Sequence, residues 1–216
     1  TVRLALSKVV YNSKIEDVDV LRSDLRWKIK KSLKHDLEND YFKQPLRRGK
    51  YILIPTIKDN IFLIHLGMSG QIKIRENFES IFKHDHVRVT IKSENDKRYF
   101  ITYNDPRRFG YIDLFHKKEI NEHFLLKKLG VEPFEKNFNV GYLQTMFNKK
   151  MKCIKDTLMD QSVIAGIGNI YASEILFIAK VNPYRSAKTL NNEEIKSIIG
   201  ATIEVLKKSI DVGGTT

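Results

Sequence analysis

Ile164-Ala-Gly-Ile-Gly-Asn-Ile-Tyr-Ala-Ser-Glu174 interrupts two helical patterns with a pair of glycines, Gly166 and Gly168, and sets Asn169 at the start of the second pattern. Glycine tolerates positive φ and close approach, so a Gly-x-Gly-Asn hairpin between helices can turn its N–H groups outward, and donors gathered at a helix start bind anions. Two readings follow from this stretch alone: an ordinary inter-helix turn capped by Asn169, or an anion site.

On the C-terminal side of the hairpin, Ala172, Ile175, Leu176 and Ala179 share one helical face. Asn191 with Glu194 three residues on forms a capping-box pattern, and Ile195, Ile198, Ile199, Ile203, Leu206 and Ile210 carry a further helix toward Gly213-Gly214. On its N-terminal side, Leu143, Met146, Phe147, Met151, Ile154 and Leu158 fall on one helical face amid Lys149, Lys150, Lys152 and Lys155. Before residue 120 the period differs. The runs 51–54, 61–66, 71–74, 87–91, 98–103 and 111–115 are short and β-rich, and segments such as Lys58-Asp59-Asn60 separate them. Val2, Leu6, Val9 and Val10 suit a short opening helix, while 15–34 keeps no clean period and only hints at strands around Val18, Val20, Leu25 and Trp27. The expected class is therefore α+β, an antiparallel sandwich or barrel over 1–126 followed by a helical domain over 127–216, with Val131-Glu132-Pro133-Phe134 in the connection.

Charge narrows the partner. Across 216 residues, 38 Lys and Arg against 26 Asp and Glu give +12. The first 126 residues hold 25 basic and 17 acidic groups (+8) and the remainder 13 and 9 (+4), so the excess is no tail effect. It suits a polyanion, and no basic amphipathic anchor favours a membrane over nucleic acid. The single Cys153 excludes an internal disulfide and a multi-cysteine zinc site within these residues, and fits a reducing cytoplasm. No apolar run reaches membrane-spanning length.

Four short segments could carry chemistry. Arg47-Arg48-Gly49-Lys50 just precedes a strand and is either a solvated turn or a phosphate grip, Lys50 having the most fixed direction. His65-Leu66-Gly67-Met68-Ser69-Gly70 puts a methionine between glycines, poorly placed for a core. Asn104-Asp105-Pro106-Arg107-Arg108-Phe109-Gly110 is either a turn whose arginine pairs with Asp105 or a loop that pushes Phe109 into a base stack while an arginine reads a base edge. His84 and His86, two apart, would share a strand face and could hold a metal, but no further ligand cluster is evident; His84 is assigned a phosphate or structural role.

Taken together, RRGKY (47–51), HLGMSG (65–70), KHDHV (83–87), NDPRRFG (104–110), LGVEPF (129–134), LMDQSVIAGIGNIYASEILF (158–177) and GGTT (213–216) resemble, in order, the bacterial formamidopyrimidine-DNA glycosylases. The resemblance implies an N-terminal β-sandwich followed by a helix-two-turn-helix domain. It implies a monomeric base-excision repair enzyme that removes oxidised purines such as 8-oxoguanine and formamidopyrimidines from double-stranded DNA and nicks the strand by β,δ-elimination. Lys50 matches the family's lysine for β-elimination. Met68, Arg107 and Phe109 match the residues that fill the hole left by a flipped nucleotide, and Arg107 faces the orphaned cytosine. His84, Arg107 and Lys150 match DNA contacts, and Asn169 a phosphate ligand, with Lys155 a weaker candidate beside it.

The family also opens on Pro-Glu-Leu-Pro-Glu-Val-Glu, after which Thr1 aligns, and continues past GGTT into a four-cysteine Zn2+ finger bearing a δ-elimination arginine. The catalytic N-terminal proline, its neighbouring acid and the zinc site are thus outside these residues. The expectation is that the chain as given needs no cofactor, is catalytically incomplete and gives no borohydride-trapped adduct. Two other functions compete: an endonuclease VIII-like glycosylase for oxidised pyrimidines, against which Met68, Arg107 and Phe109 argue, and a DNA-binding module that recognises lesions or abasic sites without cutting.

Overall fold

A computed structural model describes residues 1–214, and Thr215 and Thr216 of the GGTT motif lie outside the described residues. The chain divides into two compact units, one spanning 2–122 and the other 123–216 together with Thr1.

The first unit opens with helix α1 (Val2–Val10), whose Leu6 and Val10 are fully buried. Strand β1 (Lys14–Val20) and the short helix α2 (Leu33–Leu37) follow, then β2 (Leu46–Arg48), β3 (Tyr51–Pro55), β4 (Asn60–His65), β5 (Gln71–Arg75), β6 (Asp85–Lys92), β7 (Arg98–Asn104) and β8 (Tyr111–His116). They form two four-stranded antiparallel sheets, ordered β1-β6-β7-β5 and β2-β3-β4-β8. Strands place alternate side chains on opposite faces. Val87, Val89 and Ile91 of one sheet thereby meet Ile52, Ile54, Phe62 and Ile64 of the other in a single apolar core, which makes the unit a β-sandwich. The strand hinted at around Leu25 and Trp27 is absent; only an isolated bridge joins Asp24 and Lys28.

The second unit holds α3 (Val140–Asn148), α4 (Ile154–Met159), α5 (Asn169–Ile178) and α6 (Asn192–Asp211). Here the apolar spacing misleads. The face read from Leu143 to Leu158 is two helices, because Cys153 is extended (φ −65°, ψ 160°), bridges Ser186, and the Ile154 N–H bonds the Arg185 carbonyl at 2.7 Å. Met151, expected on the buried face, is 81% exposed. Helix α6 starts with the expected capping box, the Asn191 side chain accepting from the Glu194 N–H and the Glu194 carboxylate from the Asn191 N–H. The segment 131–134 is no loose connection. Val131 bridges Ile164, and Val131 and Glu132 are buried. The second core runs from Val131 through Leu143, Ile154, Ile164 and Ile175 to Val205.

Candidate nucleic-acid interface

A cleft of about 760 Å³ opens on the sandwich, within the 300–1,000 Å³ typical of ligand sites. Its elements converge for local reasons. Arg48 pairs with Tyr51, so Gly49 and Lys50 alone turn β2 into β3, and Gly49 supplies the positive φ (56°) that a two-residue hairpin of this kind needs at its first central residue. That turn aims Lys50 at the cleft. His65 ends β4 with its ring 4.9 Å from that of Tyr51 and lines the same space. Arg26 lines it too, its guanidinium 4.6 Å from the centre of the Trp27 ring.

The rim is two loops, 66–70 and 105–110, whose backbones touch. Gly67 has φ 64°, and a Cβ there would lie 2.6 Å from the Phe109 carbonyl carbon. A Cβ on Gly110 would stand 1.7 Å from the Tyr103 hydroxyl. With side chains excluded from this contact, the neighbouring ones turn outward. Met68 is 74% and Phe109 44% exposed, which removes both from any core. The Arg107 guanidinium lies 4.7 Å from the centre of the Phe109 ring.

Asp105 does not pair with an arginine. Its fully buried carboxylate accepts from the Ser69 hydroxyl (2.5 Å), the Gly110 N–H (2.8 Å) and the Tyr103 hydroxyl (3.1 Å). Burial alone would raise its pKa, but the bonds from Ser69, Gly110 and Tyr103 outweigh it and hold the carboxyl below its usual range. Arg108 is the arginine with an acidic partner, reaching Asp24 at 3.1 Å. Inside the cleft the shifts are also downward, but there they favour the neutral form. Desolvation lowers the Lys50 pKa. Burial, then the charges of Lys50 and Arg26, depress His65 to about 4.

The paired histidines separate. His84 precedes β6, its carbonyl accepting from the Asp105 N–H, and a register shift follows between Asp85 and Val87. His86 is buried with Nε2 2.7 Å from the Asp105 carbonyl oxygen. Among the described residues no group of three or more His, Cys, Asp or Glu could hold a metal ion.

In the helical unit Gly168, not Asn169, is the N-cap of α5, and Asn169 is the first helical residue. Gly166 alone of the glycine pair has positive φ (98°), and Gly168 is extended (φ −119°). The turn is laced from within. Gln161 accepts from the Gly166 N–H (2.8 Å) and donates to the carbonyls of Ile167 (2.7 Å) and Met159 (2.8 Å). Gly168 has no side chain with which to cap α5, and Asn169 is exposed at the helix start. Lys150 is engaged with Asp160 (2.7 Å) and Ser162 (3.4 Å). Burial would raise the Asp160 pKa, but Lys150 and Ser162 draw it down to about 2. The Lys155 N–H bonds the Pro183 carbonyl.

Sequence reasoning singled out Lys50, Met68, Arg107 and Phe109, and these do gather at one cleft. It missed Asp24, Arg26 and His65 in the wall and Ser69 and Asp105 beneath the rim. His65, Ser69 and Asp105 lie inside the quoted HLGMSG and NDPRRFG motifs, whereas Asp24 and Arg26 offered no signal.

A β-sandwich followed by a helical unit with a Gly-x-Gly-Asn turn, one carrying a cleft rimmed by exposed apolar and basic loops, defines the helix-two-turn-helix class of DNA glycosylases. The chain belongs to the formamidopyrimidine-DNA glycosylase family: the family's N-terminal domain model matches residues 1–112 and its helix-two-turn-helix domain model residues 129–216. It is 41% identical over 212 residues to the formamidopyrimidine-DNA glycosylase of Zymomonas mobilis, covering 98% of this chain and 76% of that one. It is 37% identical over 216 residues to that of Rickettsia bellii, covering all of this chain and 77% of the relative. Among solved structures it resembles the Lactococcus lactis enzyme bound non-covalently to DNA containing an abasic site, with TM-score 0.90, 29% identity and coverage of 99% and 80%.

Proposed function

We propose that this chain is the catalytic scaffold of a base-excision DNA glycosylase that removes oxidised purines, 8-oxoguanine and formamidopyrimidines, from duplex DNA and cuts the strand at the resulting abasic site. The observation that carries the reading is the cleft: a lysine with depressed pKa inside, and Met68, Arg107 and Phe109 exposed at its rim. A base inside a duplex cannot be reached without flipping, which costs a few kcal/mol, and apolar wedges with an arginine in the vacated space offset that cost. Arg107 bonds the orphaned base, with Met68 and Phe109 stacked beside it. Lys50, deprotonated more readily than an ordinary lysine, takes a proton from the sugar in β-elimination. The desolvated cleft would also keep His65 neutral at pH 7, so His65 acts there as a hydrogen-bonding group rather than a cation.

Asn169 at the start of α5 grips a backbone phosphate. His84 adds a second contact. Lys150 serves through Asp160: exchanging that carboxylate for a phosphate is the step that would make it a DNA contact. The described residues do not fit a zinc ion, and the steps above use none. A cytoplasmic setting agrees with a lone cysteine, and no described helix is long and apolar enough to cross a membrane.

Single-turnover assays on an 8-oxoguanine duplex, run with the protein as the cell makes it, test the assignment of Lys50. Lys50→Met should slow strand cleavage about a hundredfold, the usual range for a lost acid–base group. Unchanged cleavage would remove Lys50 from the mechanism.

A further inference from the structure

The two rim loops are joined at their ends by strand pairing, His65 with Tyr111 and Gln71 with Asn104, and are cross-linked between those ends by the Ser69 hydroxyl. The geometry points to Ser69 as the positioning residue that makes the Met68 and Arg107–Phe109 loops enter DNA as a single rigid wedge. The inference rests on the reading of those three side chains as the wedge. Ser69 adjoins Met68 in sequence and touches the other loop twice. Its Oγ donates to Asp105 Oδ1 at 2.5 Å and accepts from the Arg107 N–H at 3.2 Å. The acceptor is itself immobile. Asp105 is fully buried, takes the Gly110 N–H and the Tyr103 hydroxyl on Oδ2, and its carbonyl accepts from the Arg108 N–H and lies 2.7 Å from His86 Nε2. Ser69 thus ties the methionine loop to the loop that carries Arg107 and Phe109, through an anchor that strand β7 and strand β6 both support.

This arrangement suits an insertion step. Three side chains that enter a stack separately each lose conformational freedom at that moment, whereas a preassembled set has lost it on folding. Between the paired strand ends, the remaining approach of the loops is that of Gly67 to the Phe109–Gly110 backbone, which supplies shape without direction. Removing the Ser69 hydroxyl therefore leaves the loops anchored at their ends, with their tips free to move independently. Ser69 touches no reacting atom in this scheme and acts only through its neighbours.

The test compares Ser69→Ala and Ser69→Thr in the protein as the cell makes it. Affinity is measured at one salt concentration for a duplex with a tetrahydrofuran abasic analogue and for the same duplex undamaged, with 2-aminopurine beside the lesion reporting unstacking in stopped flow. Ser69→Ala should lower the preference for the abasic duplex about tenfold and slow the 2-aminopurine phase, with affinity for the undamaged duplex held near the original and a lowered melting temperature from the lost bond to buried Asp105. Ser69→Thr, which keeps the hydroxyl, should restore both. Equal behaviour of the two variants, or a loss of affinity shared by both duplexes, would overturn the inference. A parent protein with no preference for the abasic duplex would instead overturn the functional reading beneath it.

Discussion

Two carboxylates sit beside cations in the two units, Asp105 near Arg107 and Asp160 near Lys150, and they do opposite things. Asp105 turns inward to two hydroxyls and a backbone N–H, so Arg107 is left lying on the Phe109 ring at the cleft rim. Asp160 takes the Lys150 ammonium itself at 2.7 Å. Proximity in sequence or space does not decide whether a cation is available. What decides is whether both oxygens of its acidic neighbour are already taken: neutral donors fill both oxygens of Asp105, whereas on Asp160 Ser162 fills only Oδ1 and Oδ2 takes the cation. Arg107 is accordingly open at the cleft rim, while Lys150 is already taken up by its carboxylate.

Breaking the Asp105 side of the comparison should have the largest effect. Asp105→Ala strands the buried Tyr103 hydroxyl and the Gly110 N–H, and unfolding in urea should show a loss of about 3 kcal/mol. Lys150→Met comes next, leaving Asp160 without its cation, at a cost on the order of 2 kcal/mol at pH 7. The pH dependence follows from the sign of the shift. The Asp160 pKa is depressed on folding, so its contribution is complete above the unfolded value near 4 and is lost as pH falls through about 2. Urea midpoints between pH 2 and 5 should fall steeply in the parent and less so in Lys150→Met. A smaller change is expected from Arg107→Ala, whose side chain has no acidic partner to strand. Stability should move by less than about 0.5 kcal/mol, so the measurement separates availability from structural duty. The subtlest is His65, whose proton NMR signals in the free protein should titrate near 4 rather than near 6.5.

Much of this was legible in the sequence, and the failures share a cause. The β-rich runs lie within a residue or two of β3 to β8, and the Asn191–Glu194 capping box reads correctly, because period-two alternation and caps are local signals. The helix through Leu158 is broken at Cys153 by Arg185 and Ser186, residues some thirty positions away that periodicity cannot see. Asn169 looked like a cap because asparagine is a good one, yet Gly168 already occupies the extended cap position. The Asp105–Arg pairing was a guess from adjacency. The actual partner, Ser69, is 36 residues upstream and is brought close only by the meeting of two loops. Lys50, Met68, Arg107 and Phe109 could be picked out because turn and glycine chemistry marks exposed loops. Asp24 and Arg26 in the cleft wall could not, since they lie in an irregular segment with no local pattern and reach the cleft only through the fold.

The central claim is a division of labour, the sandwich rim reading the lesion and the α5 turn holding the backbone. It is tested most directly by measuring affinity for abasic and undamaged duplexes over a range of salt, for the triple variant Met68→Ala, Arg107→Ala, Phe109→Ala and for Asn169→Ala. The triple variant should abolish the preference for the abasic duplex while its binding to undamaged DNA and the steep fall of affinity with salt persist, as counterion release from phosphate contacts requires. Asn169→Ala should weaken both duplexes alike and leave the preference intact. A triple variant that keeps the preference, or an Asn169→Ala that loses it, would contradict the account.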